Sequence, residues 1–130
     1  MKNRVIHFEI QADDIERAKG FYTKAFSWNI SQIMTADDKG NIDYWGLTTG
    51  SDKVPGINGG MYKRPQDKKI YTFDCTIEVE NIDEIIEKIK MHGGRIDGEK
   101  MEIRNIGWFA KAIDTEGNIF GIIQSTKKTA

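Results

Sequence analysis

The sequence holds one cysteine, two prolines and two histidines in 130 residues. A single thiol, Cys75, excludes an internal disulfide. A chain of this length needs none, because a domain of this size buries roughly two-thirds of its unfolded surface. Long apolar runs are missing too, and nothing approaches the ~20 residues that cross a bilayer. Neither sign of charge is in excess: 19 basic residues face 20 acidic ones. That balance speaks against nucleic acid or an anionic membrane as partner. The basic doublets Lys63-Arg64, Lys68-Lys69 and Lys127-Lys128 are too short to form a binding patch. Residues 1–4 lead straight into a strand and not into a signal-peptide core. The expectation is a soluble, cytoplasmic protein forming one domain over residues 1–130.

What is present is periodic. Residues 5–10 alternate, with Ile6, Phe8 and Ile10 on one face and Val5, His7 and Glu9 on the other. Asp13 with Glu16 resembles a capping box, and Ile15, Ala18, Tyr22, Ala25 and Phe26 are spaced for one helical face ending near Ser27. Residues 28–34 and 42–49 read as strands around the turn 37–41. Residues 56–62 form a glycine-loosened fourth strand. The polar connection 64–67 is the best boundary between halves, placed at about 4–65 and 70–125.

The second half repeats the order. In the strand 70–79, Phe73, Cys75, Ile77 and Val79 share one face, and Asp74, Thr76 and Glu78 share the other. Asn81 with Glu84 caps a helix whose buried stripe is Ile82, Ile85, Ile86 and Ile89, and Gly93-Gly94 ends it. Three strands follow, over 95–103, 107–113 and 118–124. Sliding the chain so that His7 falls on Asp74 lays Asp13-Asp14-Ile15 on Glu80-Asn81-Ile82. Each half is β-α-β-β-β and cannot cover its own helix and sheet alone. The fold class is α+β: two βαβββ repeats forming a curled mixed-sheet cup, with helices on the outside against Ile6, Phe8, Ile10, Phe73, Cys75 and Ile77.

His7 and Asp74 then lie on related strands and both look inward. They make either a hydrogen-bonded pair or the remnant of a metal site. Glu9 and Glu78 alternate the same way, as parts of a displaced oxygen-rich site or as water-facing carboxylates. Trp108, in the alternation class of Ala110 and Ala112, is the candidate ligand-stacking wall, with core packing as the alternative. Cys75 is expected buried and inert, and His92 a surface residue at a helix end.

The stretches His7-Phe8-Glu9-Ile10, Phe21-Tyr22, Phe26-Ser27-Trp28, Gly93-Gly94 and Asp114-Thr115-Glu116-Gly117-Asn118 resemble the vicinal oxygen chelate superfamily. That group includes glyoxalase I, bleomycin-resistance proteins and extradiol dioxygenases. Residues 56–60 and Gly107-Trp108-Phe109 look most like glyoxalase-related bacterial proteins of unsettled function. The resemblance implies a divalent metal held by one residue from each of four inner strands. The matching positions are His7, Gly46, Asp74 and Gly121. Two have no side chain, and Gly46 and Gly121 look like counterparts whose loss widens the cup. A His/Asp pair falls short of the three protein ligands usual for a catalytic metal. The resulting expectation is a glyoxalase-like protein that binds a small organic molecule without metal or other cofactor, through His7, Asp74, Glu9 and Trp108. The alternative is a lyase or isomerase related to lactoylglutathione lyase, using metal or His7 as base. The resemblance also implies a homodimer.

Overall fold

Alternation and helical period place most elements correctly. A computed structural model describes residues 3–126. Met1-Lys2 and the Lys127-Lys128 doublet lie outside that range. The order is β1 (Arg4–Ala12), α1 (Ile15–Phe26), β2 (Asn29–Met34), β3 (Tyr44–Thr48), β4 (Gly59–Lys63), β5 (Asp74–Glu78), α2 (Ile82–Met91), β6 (Arg95–Ile103), β7 (Gly107–Ile113) and β8 (Ile119–Ser125). The fold is α+β, with βαβββ occurring twice.

The chain divides into two units. The first is His7–Phe73, and the second is residues 74–126 with 3–6. Asn3 N–H donates to the Glu78 carbonyl at 2.6 Å, which ties the chain start to β5. The two units divide after Phe73. Residues 70–73 are not strand, because the first unit holds them. Ile70 N–H donates to Gln11 Oε1 at 2.8 Å, and the Phe73 ring stacks on Phe8 at 5.4 Å.

In the first unit the strand order is β2-β3-β4-β1, with β1 and β4 parallel and the other pairs antiparallel. In the second it is β6-β7-β8-β5, with β5 and β8 parallel. The ladders fix which residues correspond. Glu9 pairs with Gly60, and Gly60 with Gly46. Thr76 pairs with Gly121, and Gly121 with Lys111. The counterpart of Gly121 is therefore Gly60, and that of Gly46 is Lys111. The expected equivalence of Gly46 and Gly121 is wrong, because loops of unequal length shift the offset between halves from strand to strand.

Each helix covers one sheet face. Asp14, not Asp13, caps α1 and accepts from Arg17 N–H at 3.0 Å; a cap of this kind contributes about 1 kcal/mol. Asp13 is 2.7 Å from Arg64 instead. Ile15, Ala18 and Tyr22 pack on Phe8, Ile10, Ala12, Ile30, Leu47 and Met61, joined by Trp28 and Trp45. Phe26, expected on that face, is 59% exposed. Asn81 caps α2 as expected, and Ile82, Ile85, Ile86 and Ile89 all join Val79, Ala110 and Ile122. That cluster reaches Ile77 but not Cys75, which is exposed, so the expectation of a buried thiol is corrected. Ile6 is also exposed rather than covered by a helix.

Two turns share one construction. Asp37 Oδ1 accepts from the backbone N–H of Lys39 and Asn41, and Asp114 Oδ1 from that of Glu116 and Asn118. Gly40 and Gly117 sit at φ +94° and +85°, where a Cβ is strained. The bonds from the Asn118 side chain and then from the turn's N–H groups hold the Asp114 carboxyl below its ordinary value.

Candidate functional site

The first unit builds its polar site on the sheet face away from α1. Phe8, Ile10 and Ala12 turn toward the helix, so alternation sends His7, Glu9 and Gln11 the other way. On β3, Trp45 and Leu47 join the helix-side core, which sends Tyr44 and Gly46 to the polar face.

Tyr44 completes the site. Its hydroxyl donates to Glu9 Oε2 at 2.8 Å, and His7 Nε2 lies 2.8 Å from the Tyr44 hydroxyl oxygen. His7 Nε2 is also 3.7 Å from Glu9 Oε1. A carboxylate only accepts, so the Tyr44 proton points to Glu9 and the Tyr44 oxygen accepts from His7. Neutral His7 is therefore the Nε2–H tautomer, which leaves Nδ1 as an acceptor. The His7 side chain is 31% exposed and that of Glu9 13%, so the chain of bonds is anchored inside and reached from outside at the imidazole.

Gly60 makes this possible. A Cβ there would lie 1.6 Å from Tyr44 Oη and 2.0 Å from its Cζ. The phenol ring occupies the place of a fourth-strand side chain. Gln11 closes the face further along: its amide donates to Tyr62 Oη and the Lys68 carbonyl. Near the start of α1 an open groove of about 400 Å³ is lined by Ile10, Ala12, Phe21, Tyr22 and Arg64 among others. Arg64 is committed to Asp13 and to the carbonyls of Gln11 and Ile70, and its hydrogen bond holds the Asp13 carboxyl below its usual value.

The second unit repeats the frame with different groups. Phe109 is the counterpart of Tyr44. Its Cε1 and Cζ lie 2.8 Å from where a Gly121 Cβ would stand. Gly121 therefore does not open space; an aromatic ring fills it. Thr76 lies beside the same point, and its Oγ1 is buried without a hydrogen-bond partner among the described residues. Asp74, with its side chain 3% exposed, has Lys111 Nζ 2.8 Å from Oδ2.

The sequence-derived site residues find the following partners within their own units. His7 and Glu9 come together through Tyr44, which sequence reasoning missed. Asp74 takes a lysine partner in its own unit, also missed. Trp108 packs into the α2-side cluster with Lys100 Nζ 4.7 Å over its ring. Alternation places residues 108 and 110 on the helix side, which is the core packing given above as the alternative to a ligand wall.

The residues do not fit a divalent metal. Of the four positions implied by resemblance, Gly46 and Gly121 offer no donor, and Phe109 blocks the second. Asp74 is already met by an ammonium group, and no cluster of three His, Cys, Asp or Glu occurs among the described residues.

A doubled βαβββ module with a polar face on its first strand defines the class. The chain has the fold of the vicinal oxygen chelate superfamily. Residues 4–38 match the family model of the bleomycin resistance protein-like N-terminal domain. A hypothetical protein from Bacillus halodurans has 14% identity and a TM-score of 0.72, covering 100% of this chain and 99% of that one. A Streptomyces coelicolor methylmalonyl-CoA epimerase variant, solved with 2-nitronate-propionyl-CoA, has 11% identity, a TM-score of 0.72 and the same coverages. The methylmalonyl-CoA epimerase of Mycobacterium tuberculosis has 13% identity and a TM-score of 0.60, covering 95% of this chain and 88% of that one. Among curated proteins none matches. No helix among the described residues is long and apolar enough to cross a membrane.

Proposed function

We propose that this chain is a glyoxalase-like protein that binds a small organic molecule without a metal, at the His7–Tyr44–Glu9 face. The observation that carries this reading is the directed chain of hydrogen bonds. It fixes the His7 tautomer before a ligand arrives, which lowers the ordering cost of binding. The presented Nδ1 is an acceptor, so the ligand offers a hydroxyl or N–H.

A second reading rests on the same chain of bonds. A histidine oriented by a tyrosine and a carboxylate has the arrangement of a general base, and such a base acts in a lyase or isomerase. Binding alone needs only the acceptor. Catalysis needs proton removal from a ligand C–H or O–H.

A thermal-shift screen of small hydroxylated compounds, aldehyde–thiol adducts and CoA thioesters tests both. A ligand whose stabilisation disappears in His7→Ala and weakens in Tyr44→Phe supports the site. Stabilisation untouched by either change rules it out. Solvent-deuterium incorporation into the ligand separates base from binder. We also propose a cytoplasmic homodimer, on the resemblance and on the exposed Phe21 and Phe26 of α1. Sedimentation at a monomer's mass would refute the dimer.

A further inference from the structure

Each unit ends in an outer strand, and the two strands differ in character. β2 closes the first unit's sheet and pairs only with β3 among the described residues. β6 closes the second unit's sheet and pairs only with β7 among them. An outer strand presents unpaired backbone N–H and C=O groups along its open side, and natural sheets guard that side with charge, bulges or a cover. β6 is guarded. It carries Arg95, Asp97, Glu99, Lys100 and Glu102, and its register breaks between Asp97 and Met101. β2 holds no charge and no proline. Its register is regular from Asn29 to Gln32 and shifts only beyond that. Asn29, Ser31, Gln32 and Ile33 are all exposed, Ile33 at 64%.

The charges flanking β2 say which strand fits against it. Lys24 lies exposed in the last turn of α1, just before the strand begins. Asp37 and Asp38 follow just after it ends. Asp43 is held at the same end, where its Oδ1 accepts from Ala36 N–H and from the Gln32 amide. Lys39 is the one basic residue there. β2 therefore runs from a basic end to an acidic end. Two copies laid antiparallel bring each basic end to the other's acidic end, whereas parallel copies would match like with like. Phe26, 59% exposed, is separated from β2 only by Ser27 and Trp28, and its ring lies 5.9 Å from that of Trp28. It adds apolar area beside the open edge.

We infer that β2 pairs antiparallel with β2 of a second copy, which joins the two first-unit sheets across a two-fold axis. This inference rests on the homodimer proposed above and names its surface. Backbone hydrogen bonds along Asn29–Gln32 hold the contact, and the opposed ends set its direction. A two-fold contact of one strand with itself closes at two copies and leaves no edge for a third. Every residue used belongs to the first unit.

Sedimentation of the full chain over a concentration series reads the dimer constant. In an antiparallel self-pair, Ser31 lies near the axis and faces its own copy. Ser31→Lys should weaken the dimer by at least about tenfold. Lys24→Glu and Asp38→Lys should each weaken it by about two- to tenfold, and the two together, which exchange the ends, should restore it. Hydrogen exchange of the wild-type chain needs no variant: amides within residues 29–32 should gain protection as the dimer forms. A monomer at every concentration overturns this inference and the homodimer together. A dimer that tolerates Ser31→Lys and dissociates in Phe21→Lys keeps the homodimer and overturns the β2 contact. A charge exchange that restores nothing overturns the antiparallel pairing, as does β2 exchange that is indifferent to concentration.

Discussion

Tyr44 and Phe109 stand at equivalent places in the two units, and one hydroxyl separates them. Each ring lies over a fourth-strand glycine, Gly60 or Gly121, and each glycine pairs with a polar residue, Glu9 or Thr76. In the first unit the hydroxyl joins that polar residue to His7. In the second, the ring ends in carbon and Thr76 Oγ1 is left without a partner among the described residues. Asp74, the counterpart of His7, turns to Lys111. A repeated frame has thus kept its packing rule, an aromatic ring over glycine, while its polar chemistry has diverged.

Changes that break one unit and spare the other sharpen this contrast. The largest effect is expected for Lys111→Met, which strands the buried Asp74 carboxylate and should cost about 3–5 kcal/mol of stability. Adding Asp74→Asn should recover most of it. Chemical denaturation measures both, and a single variant as stable as wild type would show the pair to be idle.

Next is Gly60→Ala, which cannot coexist with the Tyr44 ring where it lies. The ring must swing out, leaving His7 and Glu9 without their bridge, at about 2–4 kcal/mol from crowding and lost hydrogen bonds. Gly121→Ala displaces Phe109 and presses on Thr76 Oγ1 but breaks no such bridge, and should cost about 1–3 kcal/mol. Equal losses would mean that the hydroxyl bridge adds nothing to the first unit.

A smaller change in the opposite direction is expected for Phe109→Tyr. It gives the second unit the missing hydroxyl near Thr76 and should stabilise by about 0.5–1.5 kcal/mol. A loss of stability would show that the two rings are not placed alike.

The smallest effect concerns Asp114. Hydrogen bonds from Asn118 and Glu116 hold its folded pKa below the ordinary carboxyl value, so its contribution is present above that ordinary value and lost as pH falls through the folded one. Asp114→Ala should be less stable than wild type at neutral pH, and the gap should close in acid. A gap that persists in acid would assign the effect to something other than the ionised carboxylate.

Much of the frame was legible because period and caps report local physics. Asn81 and Glu84 named the start of α2, and Ile82, Ile85, Ile86 and Ile89 its buried stripe. His7 was legible as the polar residue inside an apolar strand. Tyr44 was not, because a tyrosine at the edge of a strand reads as packing, and its partners lie far away in sequence. The available signal was Gly59-Gly60 within a strand, since glycine there marks a close approach by another group. Lys111 had a signal too: it interrupts Trp108-Phe109-Ala110 and Ala112-Ile113 at an alternate position, as His7 does in its own strand. For Trp108 both readings stayed open, because alternation gives two faces without saying which one the helix covers.

The central claim is that Tyr44 and Glu9 hold His7 as the Nε2–H tautomer, with Nδ1 presented to a ligand. Nitrogen-15 NMR of the His7 ring reads this directly. The account predicts a protonated Nε2 and an unprotonated Nδ1 at a pH where His7 is neutral, with the preference relaxing in Tyr44→Phe. A protonated Nδ1 in the wild-type protein, or the same tautomer balance in the variant, would contradict it.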